Sequence, residues 1–440
     1  MVQAWLTAMG IVGHRTAVKA LAHLVTALLL GQSLWTASLM RVVGSRLPVP
    51  ARQRYKRVAR AWTRPWLTPG WLTPRLVRAA LALVAPKAEA EVLVVLDSVR
   101  CGRWEVFTTG VVWQGRVLVV GWAVLPYPWP KGQFTPTVCA LLRQVAAAWP
   151  VGRRPQLVAD RGFPSRPCFQ TLRAVGWGWT VRLRARDHVR LAGVLQPLRS
   201  LLADATVGHG RTWSAGPFGG GKGAVPATLV VGRGLLVLPR HQRDPGSLAA
   251  RARQRQARDA HWRDKHPGQG SDASVETDPW VVLFTTAATW QAAVTTSRQR
   301  WATAGSYRDA QGGWEGQHGW GLERLVAGLS DPGRVERVVG LGALGALLQT
   351  WVGAQLRHTD DPTAHAIAAQ WTTTGRLSVW APTPAGRPCR FAFTDPSGAW
   401  RPWRRATLQA GADRLAAAPP LPSTVPLRFQ PRDTTRQNAA

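Results

Sequence analysis

The chain has 440 residues, 45 % of them apolar, which suffices for two or three domains with a sizeable core and excludes wholesale disorder. Its formal charge of +33 and pI near 11.8 set it apart from ordinary soluble enzymes. Basic residues run from end to end, so the field belongs to the whole body and favours polyanions, of which nucleic acid is the commonest.

Arg outnumbers Lys by fifty to six. Arg grips phosphates bidentately and stacks on bases. A GC-rich genome would also raise Arg, but codon bias leaves the shortage of acids unexplained. The 24 Trp read mainly as core and strand residues, with base stacking as their alternative use. Cys101, Cys139, Cys168 and Cys389 are widely spaced, with no C-x-x-C pair and no nearby His cluster. That spacing argues against zinc and against a disulfide framework, and fits a reducing cytoplasm.

Residues 1–88 read as helices broken by Pro and Gly. Gly13 to Met40 carries helical apolar spacing. Within it, residues 20–40 come nearest to a membrane span, but His23, Gln32 and several hydroxyls favour a buried helix and no membrane contact. ARQRYKRVARAW predicts a basic helix and PRLVRAALALVAP an apolar one. A small helical DNA-binding domain is the expected product, with a solvated basic face as the plainer account.

Near residue 90 the period changes. EVLVVLDSVR and WEVFTTGVVWQGRVLVVGWAVLP are β-rich, with a hairpin break at Gln114-Gly115. A helix is expected at 134–149, capped by Thr135. LVAD then reads as a strand, PCFQTLRAVG as a helix and WGWTVRLRA as a strand. This alternation predicts α/β architecture with a mixed sheet over 89–189.

Residues 190–290 change character again. The GPFGGGKG segment fails the phosphate-loop spacing, because Gly223 follows Lys222, and it reads as a hairpin loop. TLVVGRGLLVL reads as a strand pair, and a polar stretch follows it. PWVVLFTTA is a strand, and helices resume from about 291, including a buried one at 335–353 within a 291–357 segment. Residues 358–440 are Pro-rich and weakly patterned, and the tail reads as disordered.

Asp97 is expected to close the strand VLVVLD, and Asp160 the strand LVAD. Two such residues, separated by a hairpin and a helix, can stand side by side on one sheet. Paired carboxylate oxygens suit hard Mg²⁺ or Mn²⁺. Two ions held about 3.5–4 Å apart can activate a water and stabilise the leaving oxygen of a phosphodiester. Either Asp alone reads as a loop cap; together, on so basic a chain, they read as a metal pair.

LVVLDSV, GRVLVVGWAVLP and LVADRGFPSRPCFQTLRAVGWGWTVRLR resemble the catalytic core of bacterial insertion-sequence DDE transposases of the Y-R-E-K signature type. The resemblance spans roughly residues 10–355 and is strongest at 91–186 and 279–353. It implies an RNase H-like mixed sheet with flanking helices, a β-rich insertion at 190–290 and an amino-terminal all-α domain that binds element ends. It also implies catalytic, metal-holding Asp97 and Asp160, a Mg²⁺ or Mn²⁺ cofactor, and Arg161, Arg300 and Arg308 against DNA. A homodimer on double-stranded DNA, acting in the bacterial cytoplasm at the nucleoid, follows from the same resemblance.

That family's third carboxylate is a Glu in the pattern Y-x2-R-x3-E-x6-K. Here the matching stretch is SRQRWATAGSYRDAQ: Ser297 replaces the Tyr, Arg300 is retained, Ala304 replaces the Glu and Gln311 the Lys. On a continuous helix, positions 300, 304, 308 and 311 share one face. Asp309 would point about 140° away from 304, and Glu315 would lie about 16 Å along the axis. Glu323 is further still and reads as structural.

Two readings follow. One is a DDE transposase that cleaves element ends and transfers strands, impaired by Ala304. The other is a catalytically inactive, transposase-derived DNA-binding protein. A generic RNase H-like nuclease or resolvase would need the Asp pair alone, and the resemblance at 279–353 speaks against it.

Overall fold

A computed structural model describes residues 2–11, 15–31, 34–37, 39–40, 50–62, 65–84, 91–113, 116–184, 187–191, 193–202, 209–218, 225–233, 235, 280–300, 321–356, 380–382 and 388–390. Among the described residues the first helices are α1 (Val2–Ala8), α2 (Arg15–Gly31), α3 (Ala51–Ala61) and α4 (Pro69–Val84). A 3₁₀ turn, Pro65–Leu67, precedes α4. The hairpin strands β1 (Glu91–Cys101), β2 (Trp104–Trp113) and β3 (Arg116–Pro126) follow. Next come α5 (Phe134–Ala147), β4 (Arg154–Ala159), α6 (Arg166–Ala174) and β5 (Gly178–Arg182).

The chain then forms β6 (His188–Leu191), β7 (Val194–Pro197), the short α7 (Leu198–Leu202), β8 (Gly210–Phe218) and β9 (Val225–Arg233). It returns through β10 (Trp280–Thr285), α8 (Trp290–Gln299), α9 (Leu322–Ala327) and the long α10 (Pro332–Leu356). Two three-residue strands, β11 (Trp380–Pro382) and β12 (Pro388–Arg390), pair with each other.

The protein is mixed α/β, built on a ten-stranded sheet of order β3-β2-β1-β4-β5-β10-β9-β8-β6-β7. β3, β2 and β1 are antiparallel; β1, β4 and β5 are parallel. From β5 through β10, β9, β8 and β6 to β7, all pairings are again antiparallel. A buried polar row crosses the middle of the sheet. Gln156 Nε2 donates to Thr180 Oγ1 at 3.1 Å, and the Thr180 and Thr285 hydroxyls lie 2.8 Å apart. Each of these buried groups is therefore satisfied, and together they tie β4, β5 and β10 in register. Gly178 makes room for the amide, since a Cβ there would collide with Gln156 Oε1.

α10 is buried along much of its length and packs on β3, α4 and α2. Tryptophan N–H groups join distant parts of the chain to it and to its approach. Trp122 Nε1 donates to the Glu336 carbonyl at 2.9 Å, and Trp104 Nε1 to that of Leu329 at 2.8 Å. Trp351 Nε1 donates to the Ala79 carbonyl at 3.0 Å, and its ring stands edge-on to Trp5 at 5.5 Å. The buried side chains of the amino-terminal helices thus share one continuous cluster with the sheet and α10.

Most expected elements are present, with differences that have physical reasons. β1 continues past Asp97 to Cys101, because its pairing with β2 runs to Cys101↔Trp104. Asp97 is therefore inside the strand, not at its end. α5 begins one residue before Thr135, so Gln133 is its N-cap and makes no side-chain cap bond. The cap of α6 is Ser165, whose hydroxyl accepts from Cys168 N–H at 3.3 Å. β9 pairs with β8 and β10, not with a strand formed from its own continuation; residues 236–238 lie outside the described set. So do the hairpin break at 114–115, the glycine run at 219–224 and the tail beyond 390.

Two glycines should respond oppositely to an added methyl. A Cβ on Gly340 would collide with the Leu67 carbonyl and sit 2.8 Å from Trp122, whereas Gly70 has nothing within 4 Å. Gly340→Ala is expected to destabilise by about 1–3 kcal/mol through overpacking. Gly70→Ala is expected to stabilise by about 0.4–1 kcal/mol. Urea unfolding of both variants checks the pair.

Candidate active site

The parallel register of β1 and β4 pairs Leu96 with Ala159, so the next residues stand abreast, Asp97 within β1 and Asp160 just past the end of β4. In each, one carboxylate oxygen turns back on the main chain. Asp97 Oδ1 accepts from Ser98 N–H at 2.9 Å, and Asp160 Oδ1 from Arg161 N–H at 2.8 Å. The other oxygens converge on one cation. Arg300 Nη1 lies 3.9 Å from Asp97 Oδ2 and 3.7 Å from Asp160 Oδ2. At these lengths the attraction is ionic, beyond ordinary hydrogen-bond reach.

α8 delivers that guanidinium. Thr289 caps the helix, its hydroxyl accepting from Ala292 N–H at 3.2 Å. Ala293, Val294 and Ser297 are buried, and the helix packs against β4, β5, β8 and β10. Arg300 ends it in right-handed helical geometry, with its N–H on the Ser297 carbonyl.

The turn after Asp160 is braced from the sheet. Phe163 N–H donates to the Asp160 carbonyl at 3.1 Å, and Arg184 Nε to the Arg161 carbonyl at 2.7 Å. Asp187 holds Arg184 in turn, accepting from its backbone N–H at 2.8 Å. Arg184 is a positioning residue that sequence reasoning left out of the site. Its signal was the R-L-R end of the strand run, which pattern alone could not orient. Phe163 is buried and packs near Phe107 and Phe134, which anchors the far side of the same turn.

One buried carboxylate was also passed over. Glu105 of β2 is 7 % exposed and accepts from the Ser98 hydroxyl at 2.6 Å. Successive strand side chains alternate faces, so Ser98 and its Glu105 partner lie on the face opposite Asp97. Glu105 is therefore no third member of the pair. Glu323, in α9, lies near Cys101 and helps push its thiol up.

Among the described residues, no group of three or more His, Cys, Asp and Glu side chains converges as a metal site. Ala304, Arg308, Asp309, Gln311 and Glu315 lie outside the described residues. The structure thus brings together Asp97, Asp160 and Arg300, with the Arg161 backbone alongside. It places the Arg300 guanidinium against the carboxylates. Two hard carboxylate oxygens aimed at one cationic centre are a donor set that fits Mg²⁺ or Mn²⁺ completed by waters.

No protein-family model matches the chain, and no curated protein sequence matches it. No helix among the described residues is long and apolar enough to cross a membrane.

Cys101, Cys139 and Cys168 are buried free thiols; the Cys389 side chain lies outside the described residues. Burial pushes the Cys101 thiol up to about 12, with Glu323 and Glu105 adding to it. Burial also pushes Cys168 up to about 12, with a smaller contribution from Cys139. A raised thiol pKa favours folding below its ordinary value, and that contribution is lost as pH climbs toward the folded value. Iodoacetamide at pH 8 is accordingly expected to spare Cys101 and Cys168 in the folded chain and to label both in denaturant, as read by peptide mass spectrometry.

Proposed function

We propose that the chain is a DDE-type DNA transposase, RNase H-like in its core, that binds element ends and cleaves DNA through Asp97 and Asp160. The observation that carries this reading is the convergence of the two Oδ2 atoms, from adjacent parallel strands, on the single Arg300 guanidinium. The strand order β3-β2-β1-β4-β5 supports it, with an antiparallel meander feeding a parallel pair, as an RNase H-like sheet requires. The antiparallel strands β6 to β9 fall where the resemblance expects an insertion, and the +33 charge suits a DNA partner.

In this reading Asp97 and Asp160 hold a divalent cation, which when bound supplies Lewis acidity to the phosphodiester and lowers the pKa of its water. The Ser98 and Arg161 amides fix one oxygen of each carboxylate, so the other is presented without reorganisation. Arg184 keeps the Asp160 turn in place. Arg300 occupies the carboxylates until DNA arrives; a phosphate then offers its guanidinium a bidentate partner. A dimer on two element ends belongs to the same proposal.

The second reading, an inactive DNA-binding descendant, is favoured by Ala304 at the expected Glu position. A duplex carrying the DNA that flanks this protein's own coding sequence separates the two. With Mg²⁺ or Mn²⁺, the unaltered chain is expected to cut slowly, and Ala304→Glu to cut at least about tenfold faster. Asp97→Asn and Asp160→Asn should each lose at least about a hundredfold. Cutting by Ala304→Glu alone establishes the second reading; cutting that survives both Asn changes overturns the site.

Metal binding gives a readout that needs no DNA. Mn²⁺ titration followed by electron paramagnetic resonance is expected to show severalfold tighter binding in Arg300→Gln, because a competing cation is gone. Asp160→Asn is expected to bind far more weakly.

A further inference from the structure

We propose that the cleft between α2 and α3 is a phosphate-binding site, which takes the phosphate of a nucleotide or of a nucleic-acid backbone. As a DNA contact it rests on the reading above; its phosphate chemistry stands on the cleft alone. Thirteen basic residues and no acidic one precede Glu89, so this end of the chain has no carboxylate of its own to balance its cations.

Several of those cations face one hollow of about 360 Å³, a size suited to a small ligand. α2 contributes Thr16, Lys19 and His23, which share a face at i, i+3 and i+7, and α3 contributes Arg57 and Arg60. Trp66 forms a further wall, and the buried Leu24 and Val58 line it between the charged groups. No lining residue is acidic.

Lys19, Arg57 and Arg60 are exposed to water and border one shared hollow over the buried Leu24 and Val58, whose apolar walls strengthen their combined field. His23 registers that field: burial lowers its pKa, and Lys19 and Arg57 lower it further. An anion in the hollow reverses the electrostatic part of this. Arg supplies forked N–H donors matched to phosphate oxygens, Thr16 a hydroxyl, and Trp66 a flat face for an attached base.

The test uses the full chain with its histidines selectively ¹³C-labelled, the His23 ring signal being identified by its loss in His23→Asn. Inorganic phosphate, a nucleoside monophosphate and a short DNA duplex are titrated separately. The His23 signal is expected to move saturably, with its pKa rising. The Lys19→Gln/Arg57→Gln variant should weaken that binding by about tenfold or more. An Arg154→Gln/Arg173→Gln variant, which removes two exposed charges from β4 and α6, should leave it nearly unchanged. Response to all three ligands assigns the site to phosphate in any form; response to the duplex alone assigns it to the DNA backbone. A His23 signal unmoved by every ligand, or equal weakening in the two double variants, overturns the proposal. DNA cutting that depends on Asp97 and Asp160 would survive that failure, so the two proposals fail separately.

Discussion

The parallel pairing of β1 with β4 is the constraint on which the candidate site depends. It brings Asp97 and Asp160 abreast from positions 63 residues apart, with a hairpin pair and α5 between them. A shift of one residue in either strand would send a carboxylate to the other face, because side chains alternate along β structure. The register is therefore protected by everything that buries the strands. Val92, Val94 and Leu96 of β1 and Leu157 and Ala159 of β4 are buried in the common core. The Gln156–Thr180–Thr285 row carries the same constraint onward to β5 and β10.

Two like charges side by side at the end of β4 need a counter-charge, and the fold brings one from far along the chain. β10 lies between β5 and β9, and α8 follows it after a short connection, so Arg300 reaches the carboxylates from the end of that helix. Position 300 is separated from Asp160 by the whole of β6 to β9, yet those strands extend the same sheet. The site is thus assembled across the full width of the central strands, and its electrostatic balance depends on β10 docking correctly.

The amino-terminal helices are attached to this platform by apolar packing joined to directional bonds. Trp351 reaches Ala79, Trp122 reaches Glu336, and Trp5 stands against Trp351. The Trp351 and Trp122 indoles each bury a large apolar face while the N–H finds a carbonyl, so packing and orientation are set together; Trp5 contributes its ring alone. That rigid attachment holds the acid-free amino-terminal surface in one position relative to the carboxylate pair.

Local chemistry made much of the fold legible from the chain. The apolar periodicity of β1 to β5 and α10, and the hairpin spacing at 113–116, are properties of short stretches. Asp97 and Asp160 also stood out there, as acids following apolar strand runs in a chain short of acids. Other features depended on partners distant in sequence. The extension of β1 beyond Asp97 comes from its ladder with β2, and the burial of Glu105 from its bond to Ser98. The bracing role of Arg184 and the turn of Arg300 toward carboxylate follow from contacts no short window contains. Sequence by itself determined which residues carry charge and which stretches are strand or helix, because propensity and periodicity are local. Tertiary structure decided which charges meet, because strand register and helix docking act between residues far apart in the chain, 63 positions for the Asp97–Asp160 register and 272 for the Trp351–Ala79 bond.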